Sequence, residues 1–301
     1  MLYLGPDPVR HAAESVAAAR RSGLRSAYVT NNASRRPAAV AEHLTELGID
    51  AAPEDVVTSA QAAARLLAER LAPGAPVLVV GTQGLADEVA AVGLLPVREA
   101  EGEGGPAQAV VQGLSPDTGW SDLAEAAVCL RAGALWVAGN ADSTYPSSRG
   151  PLPGNGAFVA ALTTATGQVP IVVGKPEPAL HRESVERVGA RRPLVVGDRL
   201  DTDVLGAVRG GADSLLVLTG VADEQMLLAA PEGSRPTYVA SDLRGLLVPH
   251  PRPEVQGTTA RCGDASAQLV AGAVVGSGTG DDALRARCAL AWALADRAGA
   301  A

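Results

Sequence analysis

The stretch from Leu194 to Asp203, LVVGDRLDTD, joins an apolar strand pattern directly to three carboxylates. Asp198 stands at the tip of the apolar run, and Asp201 and Asp203 open the next segment. Carboxylates this close repel one another unless a cation or hydrogen bonds compensate, and Mg²⁺ prefers such oxygen ligands. Helix capping by Asp201 or Thr202 would explain one of the acids but not all of them. The stretch therefore predicts a cation site at the end of a buried strand.

Outward from this stretch, apolar runs alternate with Ala-rich amphipathic segments along most of the chain. Predicted strands lie at 26–30, 77–81, 110–113, 135–139, 171–174, 194–197 and 215–218. Predicted helices lie at 9–21, 37–47, 60–71, 85–92, 123–130, 157–166, 179–188 and 204–209. This alternation favours an α/β fold with a parallel, doubly wound sheet and helices on both faces. In such sheets the ligand lies beyond the carboxyl ends of the strands.

Three stretches are typical of joints. Residues 72–76 contain a Pro-Gly-Ala-Pro turn, and residues 100–106, AEGEGGP, have the composition of a flexible loop. The Pro-rich stretch 249–253 separates a tail with two short predicted strands, at 258–262 and 266–271, and a helix at 282–297. The chain therefore divides before its last fifty or so residues.

The overall composition narrows the class of protein. Hydrophobic residues make up 47% and charged residues 19%, so a sizeable core is expected. The net charge is −8 and no Lys/Arg block appears, so we expect no nucleic-acid partner. Cys129, Cys262 and Cys288 form no CxxC pair, which argues against a disulfide framework or a zinc site. With no signal-peptide pattern and no apolar run of ~20 residues, we expect a cytoplasmic protein without a membrane partner.

Two further strand ends carry groups that bind phosphate. The stretch 28–35, YVTNNASR, places the Thr30 hydroxyl and the backbone of Asn31 and Asn32 where they could hold phosphate oxygens. An ordinary helix-capping turn near Ser34 is the alternative. The stretch 172–178, VVGKPEP, places Lys175 at a strand end as a fixed point charge, and a solvated lysine in a proline turn is the alternative.

A fourth cluster combines GNAD at 139–142 with LPGNGA at 152–157. A Gly-Asn-Gly sequence that opens a helix permits close backbone approach to a substrate. A flexible surface turn before a helix explains the same residues equally well.

Taken together, these motifs resemble those of the haloacid dehalogenase-like phosphatases in order and rough spacing. They are most similar to the subclass with a large cap inserted between the second and third motifs. The resemblance runs from Met1 to about Leu247 and includes Thr219-Gly220-Val221 after the last core strand. The tail resembles, more loosely, the acyltransferase-like (GNAT-like) C-terminal extension of high-GC bacterial glycerol 3-phosphate phosphatases in this family.

The resemblance implies a Rossmann-like core at 1–64 and 170–248, an inserted α/β cap at 65–169 and a small extension at 249–301. It implies that Thr30 and the Asn31 backbone bind the transferring phosphoryl group, with Asn32 and Gly174 beside them. Lys175 would neutralise charge, Asp198 would hold Mg²⁺, and Asp203 would steady the metal site. The expected substrate-reading residues of the cap are Asn140, Asp142 and Asn155.

The resemblance also implies a DxDG motif, whose first Asp attacks phosphorus and whose second Asp is the acid and base. The chain begins MLYLGPDP, which is similar to the residues that come directly after that motif in the family. Asp7 lies between two prolines and cannot substitute, so the first core strand and both acids are missing from the chain. We expect an in-frame upstream extension that encodes them, and predict that the 301-residue chain alone is inactive. A true short form without catalysis is the alternative.

The implied function is a Mg²⁺-dependent phosphatase that uses a phosphoaspartate intermediate. Glycerol 3-phosphate is the first expected substrate, and 2-phosphoglycolate or p-nitrophenyl phosphate comes next. The tail implies a stabilising or dimerising piece, so a homodimer is an expectation. Two other classes stay open: a non-catalytic phosphate-binding or regulatory homologue, and an NAD-dependent oxidoreductase suggested weakly by VGTQG at 80–84.

Overall fold

The computed structural model describes residues 1–4, 7–102, 104–147 and 149–299. The strands are β1 (Tyr3–Leu4), β2 (Asp7–Pro8), β3 (Tyr28–Thr30), β4 (Val56–Thr58), β5 (Pro76–Val80), β6 (Leu95–Val97), β7 (Glu101–Gly102), β8 (Gly105–Pro106), β9 (Ala109–Gln112), β10 (Leu135–Ala138), β11 (Thr144–Ser147), β12 (Gly150–Pro153), β13 (Ile171–Val172), β14 (Leu194–Gly197), β15 (Asp213–Val217), β16 (Tyr238–Ala240), β17 (Glu254–Gln256), β18 (Thr259–Cys262), β19 (Ala265–Val270) and β20 (Ala273–Ser277).

The α-helices are α1 (Ala12–Arg21), α2 (Pro37–Glu46), α3 (Ser59–Ala68), α4 (Gln83–Ala91), α5 (Trp120–Arg131), α6 (Asn155–Thr166), α7 (Pro178–Val188), α8 (Leu205–Gly210), α9 (Glu224–Leu228) and α10 (Gly280–Gly299). A π-helical turn covers Leu200–Val204, and 3₁₀ turns cover Pro53–Asp55, Glu232–Ser234 and Leu243–Leu247. Within the described ranges, no helix is both long enough and apolar enough to span a membrane.

The chain forms two compact units, which we name after the charged residue that each contributes to the predicted site. The Lys175 unit comprises Ala27–Glu46 and Asp50–Gly189. The Asp198 unit comprises Met1–Ser26, Leu47–Ile49 and Ala190–Ala301. The predicted division into core, cap and extension follows different boundaries and stays a prediction.

The Lys175 unit is built on a five-stranded parallel sheet of order β13-β10-β9-β5-β6. Alternate residues of its strands enter two apolar clusters: Val77 and Val79 enter one, and Leu78 and Val80 the other. Because both faces of a parallel sheet are covered, its strands are continuous apolar runs, and PVLVV in β5 is buried throughout. A second parallel pair, β3–β4, ends at Thr30 and Thr58.

One local expectation for this unit needs correction. The stretch 100–106 was expected to be a flexible loop, but its described residues pair as the antiparallel strands β7 and β8, whereas Glu103 lies outside the described residues. Strand β13 pairs with β10, which lies within the stretch predicted as the cap, and the division into core and cap stays a prediction. Pairing partners depend on the order of the sheet, which a local apolar run does not encode.

The Asp198 unit contains a three-stranded parallel sheet of order β14-β15-β16 and a four-stranded antiparallel sheet of order β17-β18-β19-β20. The tail therefore has four strands where the sequence indicated two. Helix α10 packs its buried Ala286 and Leu290 against Ala260, Cys262 and Ala267 of the antiparallel sheet. The predicted α/β class, with parallel strands and packed helices, is confirmed.

Candidate active site

The loop after β3 is closed by its own polar side chains. The Thr30 hydroxyl oxygen accepts a hydrogen bond from the Asn32 N–H at 3.2 Å. The Asn32 side-chain oxygen accepts from the N–H and hydroxyl of Ser34, each at 2.7 Å, and from the Arg35 N–H at 3.2 Å. The expected capping turn is therefore present, and it is Asn32 that closes it. Because Thr30 accepts from within the loop, its own O–H proton remains available to a ligand oxygen.

The Asn31 side chain joins this loop to the end of β13. Its Nδ2 group donates to the Lys175 carbonyl at 3.1 Å, and its Oδ1 atom accepts from the Lys175 N–H at 2.7 Å. The same Nδ2 group lies 3.4 Å from Asp142 Oδ2. The Asn31 amide thus donates to the carbonyl of Lys175 and accepts from its N–H group. Because both backbone groups of Lys175 are bound by one side chain, Asn31 fixes the position of this residue.

The Lys175 side chain extends toward β3. Its Nζ atom lies 3.5 Å from the carbonyl of Val29, the residue before Thr30. Lys175 is the sole lysine of the 301-residue chain, in which every other basic side chain except histidine is arginine. An ammonium is a compact point charge, whereas a guanidinium is a planar fork, so the two side chains are not equivalent at this place.

The three predicted substrate-reading residues lie near the same loop, but two of them are turned inward. Asn155 is 1% exposed and donates from Nδ2 to the Asn140 carbonyl at 2.7 Å. Asn140 is 6% exposed, donates to the Asn31 carbonyl at 2.8 Å and accepts from the Asp142 N–H at 3.1 Å. Only Asp142 is partly exposed. Substrate contact by these residues stays a prediction, and for Asn140 and Asn155 the contacts fit a supporting role.

Gly174 permits the close approach of these loops. A Cβ atom there would overlap the Gly139 carbonyl oxygen and lie 2.9 Å from Asn31 Oδ1 and 3.2 Å from Asn140 Cβ. Glycine is therefore required at this position because a Cβ atom would have no space, and not because the backbone adopts a positive φ angle.

One residue of this loop cluster was not predicted from the sequence. Ser59 is fully buried and donates from Oγ to the Asn31 carbonyl at 2.7 Å. It opens α3, which starts at a capping box between Thr58 and Gln61 directly after β4. Ser59 directly follows β4, but no strand was predicted there, so its neighbours indicated only the start of a helix.

The Asp198 unit carries the predicted cation site. Asp198 Oδ2 accepts from the Val221 N–H at 3.0 Å, and its backbone carbonyl accepts from the Ala222 N–H at 2.8 Å. Its Oδ1 atom lies 3.4 Å from the Met1 amino group. A Cβ atom on Gly220 would overlap this carboxylate, with Asp198 Cγ 2.5 Å away. The Thr219-Gly220-Val221 stretch therefore fits closely around Asp198.

Hydrogen bonds compensate the other two carboxylates of this stretch. Asp203 is 6% exposed, and its Oδ2 atom accepts from the N–H groups of Asp198 and Arg199, each at 3.2 Å. Asp201 forms a bidentate pair with the Arg199 guanidinium at 2.9 and 2.6 Å, and these hydrogen bonds lower the Asp201 pKa. The repulsion that suggested a cation is thus relieved at two of the three acids without one.

The carboxylates of Asp198 and Asp203 are the predicted donors for a divalent cation in this unit. Asp198 Oδ2 accepts from the Val221 N–H, and Asp203 Oδ2 accepts from the N–H groups of Asp198 and Arg199. In the part of the chain that the structure describes, no group of three or more His, Cys, Asp or Glu residues could hold a metal ion. Asp198 fits a magnesium ligand because carboxylate oxygens are donors that this cation prefers, and metal binding by Asp198 and Asp203 stays a prediction.

Comparison with known proteins identifies the class to which this fold and these strand-end groups belong. Residues 1–95 match the family model for haloacid dehalogenase-like hydrolases, and residues 172–246 match a second, HAD-hydrolase-like model. The chain belongs to the haloacid dehalogenase-like hydrolase family. The resemblance drawn from its motifs is confirmed.

Individual relatives are phosphatases. The chain is 58% identical to a D-glycerol 3-phosphate phosphatase of Mycobacterium tuberculosis over 245 residues, which covers 81% of this chain and 68% of the relative. It is 35% identical to an acid sugar phosphatase of Staphylococcus aureus over 244 residues, covering 80% of this chain and 91% of the relative. A glycerol phosphate phosphatase from M. tuberculosis, solved in complex with magnesium, superposes with a TM-score of 0.85 at 50% identity, covering 98% of this chain and 88% of that one.

Proposed function

We propose that the protein is a magnesium-dependent phosphatase of small phosphorylated metabolites, with glycerol 3-phosphate as its first substrate. The observation that carries the proposal is the sole lysine, fixed beside the end of β3 where the Thr30 hydroxyl is free to donate. The 58% identity to a glycerol 3-phosphate phosphatase supports the substrate. The second and third candidates are 2-phosphoglycolate and p-nitrophenyl phosphate.

In the proposed mechanism, uncharged donors and one cation bind the phosphoryl group. The Thr30 hydroxyl and the Asn31 N–H donate to its oxygens, with the Asn32 and Gly174 backbone close by. Lys175 neutralises charge that builds up on these oxygens in the transition state, where fixed electrostatic groups have their largest effect. Because the loop contacts hold these groups before substrate arrives, little reorganisation is needed at the moment of reaction.

Asp198 is the proposed protein ligand for Mg²⁺, and Asp203 positions it by accepting from the N–H groups of Asp198 and Arg199. The cation would supply charge neutralisation for an in-line displacement at phosphorus. The Val221 N–H donates to Asp198 Oδ2 and so orients the carboxylate that would hold the cation.

The covalent step of the proposal is attack of an aspartate carboxylate oxygen on phosphorus. The phosphorus–oxygen bond to the alcohol breaks as the new one forms, and the alcohol leaves with a proton from a second aspartate. Water then hydrolyses the phosphoaspartate and releases inorganic phosphate. Both aspartates of this step are those of the DxDG motif that the family resemblance implies.

The remaining expectations are also carried as proposals: the core at 1–64 and 170–248, the cap at 65–169, the extension at 249–301, and a homodimer. Helix α10 packs Ala286 and Leu290 on the antiparallel sheet, and its Leu284 and Cys288 share a second apolar cluster with Leu216 of β15, which supports a stabilising role for the extension.

The test is release of inorganic phosphate from the candidate substrates, with and without Mg²⁺, by protein in which a DxDG-bearing strand has been added ahead of Met1. We expect Lys175→Ala to lower kcat/KM by about 100- to 1,000-fold. Lys175→Arg is the matched control for charge, and we expect only partial activity because the guanidinium is larger and differently shaped.

Hydrolysis that survives Lys175→Ala would contradict the assignment of this residue. Binding of inorganic phosphate without any turnover would favour the non-catalytic alternative.

A further inference from the structure

The side-chain amide and the backbone carbonyl of Asn31 join separate segments of the Lys175 unit. Its side-chain amide pairs with both backbone groups of Lys175, and its carbonyl accepts from Ser59 Oγ at 2.7 Å and from Asn140 Nδ2 at 2.8 Å. Its Nδ2 group also lies 3.4 Å from Asp142 Oδ2. We call these five residues the Asn31 junction.

The geometry points to a role for the Asn31 side chain as a positioning residue for Lys175. This inference rests on the proposed function, in which the Lys175 ammonium stabilises charge on the phosphoryl group. Lys175 reaches back to Val29 from a backbone that Asn31 holds on its N–H and carbonyl sides. A shift of that backbone moves the ammonium away from the phosphoryl group, and a displacement of about 1 Å can cost about 100-fold in rate.

This role differs from the one that the resemblance gives to Asn31. The family resemblance uses its backbone N–H as a phosphate donor, which any residue at this position supplies. The side-chain role requires an amide, because an amide has both an N–H donor for the Lys175 carbonyl and an oxygen acceptor for the Lys175 N–H. Replacement by alanine therefore separates the two roles.

Gly174 gives a second, independent way to disturb the junction. A Cβ atom there would lie 2.9 Å from Asn31 Oδ1, the atom that accepts from the Lys175 N–H, and would also overlap the Gly139 carbonyl oxygen. Gly174→Ala should therefore displace Lys175 while leaving every polar side chain of the junction in the sequence. Gly102→Ala is the matched control, because a Cβ atom there meets nothing within 4 Å.

The kinetic experiment compares wild type, Asn31→Ala, Gly174→Ala and Gly102→Ala on glycerol 3-phosphate and p-nitrophenyl phosphate. We expect Asn31→Ala and Gly174→Ala to lower kcat/KM by about 10- to 100-fold, mostly through kcat. The loss should be equal for the two substrates because they share only the phosphoryl group. Gly102→Ala should match wild type. Circular dichroism identifies any variant that does not fold, and Asn31→Ser, whose hydroxyl cannot bridge both backbone groups, then replaces Asn31→Ala.

A second measurement follows Lys175 without relying on turnover. Because Lys175 is the sole lysine of the 301 residues, its acylation by an amine reagent can be followed by mass spectrometry of the peptide that contains it. Inorganic phosphate should slow this acylation in wild type and in Gly102→Ala. In Asn31→Ala and Gly174→Ala the protection should need at least about 10-fold more phosphate, in line with the kinetic loss.

The outcomes separate this inference from the proposed function. Wild-type kcat/KM together with wild-type phosphate protection in a folded Asn31→Ala protein would overturn the inference and leave the phosphatase proposal intact. A different outcome is also informative: wild type hydrolyses none of the substrates, but phosphate protects Lys175 in wild type and not in Asn31→Ala. That outcome would support the positioning role and contradict the phosphatase.

Discussion

The two strand-end regions of this protein hold their charged residues by different means. In the Lys175 unit, side-chain amides and a hydroxyl from Asn31, Ser59 and Asn140 fix the loops around the cation. In the Asp198 unit, carboxylates accept from backbone N–H groups, and glycine at position 220 leaves the space that Asp198 fills. A cation is thus held through neutral side chains, and an anion is held through the backbone.

The difference predicts how each region fails. An amide network can lose one hydrogen bond at about 1 kcal/mol and keep the rest, so its losses are graded. A carboxylate enclosed by backbone cannot accommodate an added methyl group without moving as a whole. We therefore expect a single added carbon to have a larger effect in the Asp198 unit than the loss of any one hydrogen bond in the Lys175 unit.

Among three tests of this comparison, the largest effect is expected from Gly220→Ala, since the new Cβ atom would overlap the Asp198 carboxylate. We expect kcat/KM to fall by about 100-fold, which corresponds to about 2.7 kcal/mol. We also expect the Mg²⁺-induced rise in thermal midpoint to shrink, as measured by differential scanning fluorimetry. Gly210→Ala is the control, because a Cβ atom there meets nothing within 4 Å. Equal Mg²⁺ responses in the two variants would refute the enclosed-carboxylate description.

A smaller effect is expected from Asp203→Ala. This change leaves the N–H groups of Asp198 and Arg199 without the acceptor that they share, in a place where Asp203 is 6% exposed. We expect the free energy of unfolding in urea to fall by about 2 kcal/mol. Asp203→Asn keeps an oxygen acceptor and should retain more than half of that stability. If both variants unfold at the same urea concentration as wild type, backbone donation to Asp203 does not hold this loop.

The smallest effect is expected from removing one charged side chain, Glu183, from the Lys175 unit. Glu183 is paired with Arg65 at 2.6 Å and with Arg187 at 2.8 Å. Burial opposes its ionisation, but the hydrogen bonds from Arg187 and Arg65 outweigh burial and lower the Glu183 pKa. A carboxyl group whose pKa is lowered on folding stabilises the protein above its unfolded pKa of about 4.3 and loses that effect as pH falls through the folded value.

Glu183→Gln should therefore lower stability at pH 7 by less than about 1 kcal/mol, and the difference from wild type should shrink as the pH falls below about 4. Thermal midpoints between about pH 3 and pH 8 measure this. The control is Glu69→Gln, whose longer, exposed pair with Arg65 at 3.6 Å should change stability less. Because amides hold the Lys175 loops, kcat/KM should stay at the wild-type value, and a large kinetic loss would show that charge also positions them.

Much of the site was predictable from local sequence because each functional group directly follows an apolar run. Thr30 is the last residue of β3, Asp198 directly follows β14, and Lys175 lies three residues beyond β13. The prediction was weaker where a residue's role depends on its partner. The amides of Asn140 and Asn155 donate to the backbone carbonyls of Asn31 and Asn140, and substrate contact by these two residues stays a prediction. Ser59 was missed because its neighbours indicated only the start of a helix.

The sequence by itself determined the α/β class, the family and the order of the strand-end motifs, since all of these follow from short apolar runs and the polar residues beside them. The tertiary structure alone decided that Asn31 meets Lys175, 144 residues away, and that the acids after Asp198 are satisfied by an arginine and by backbone N–H groups. Hydrogen-bond partners so distant along the chain depend on which strands become neighbours. Local periodicity does not specify that order, because the same apolar run can pair with more than one strand.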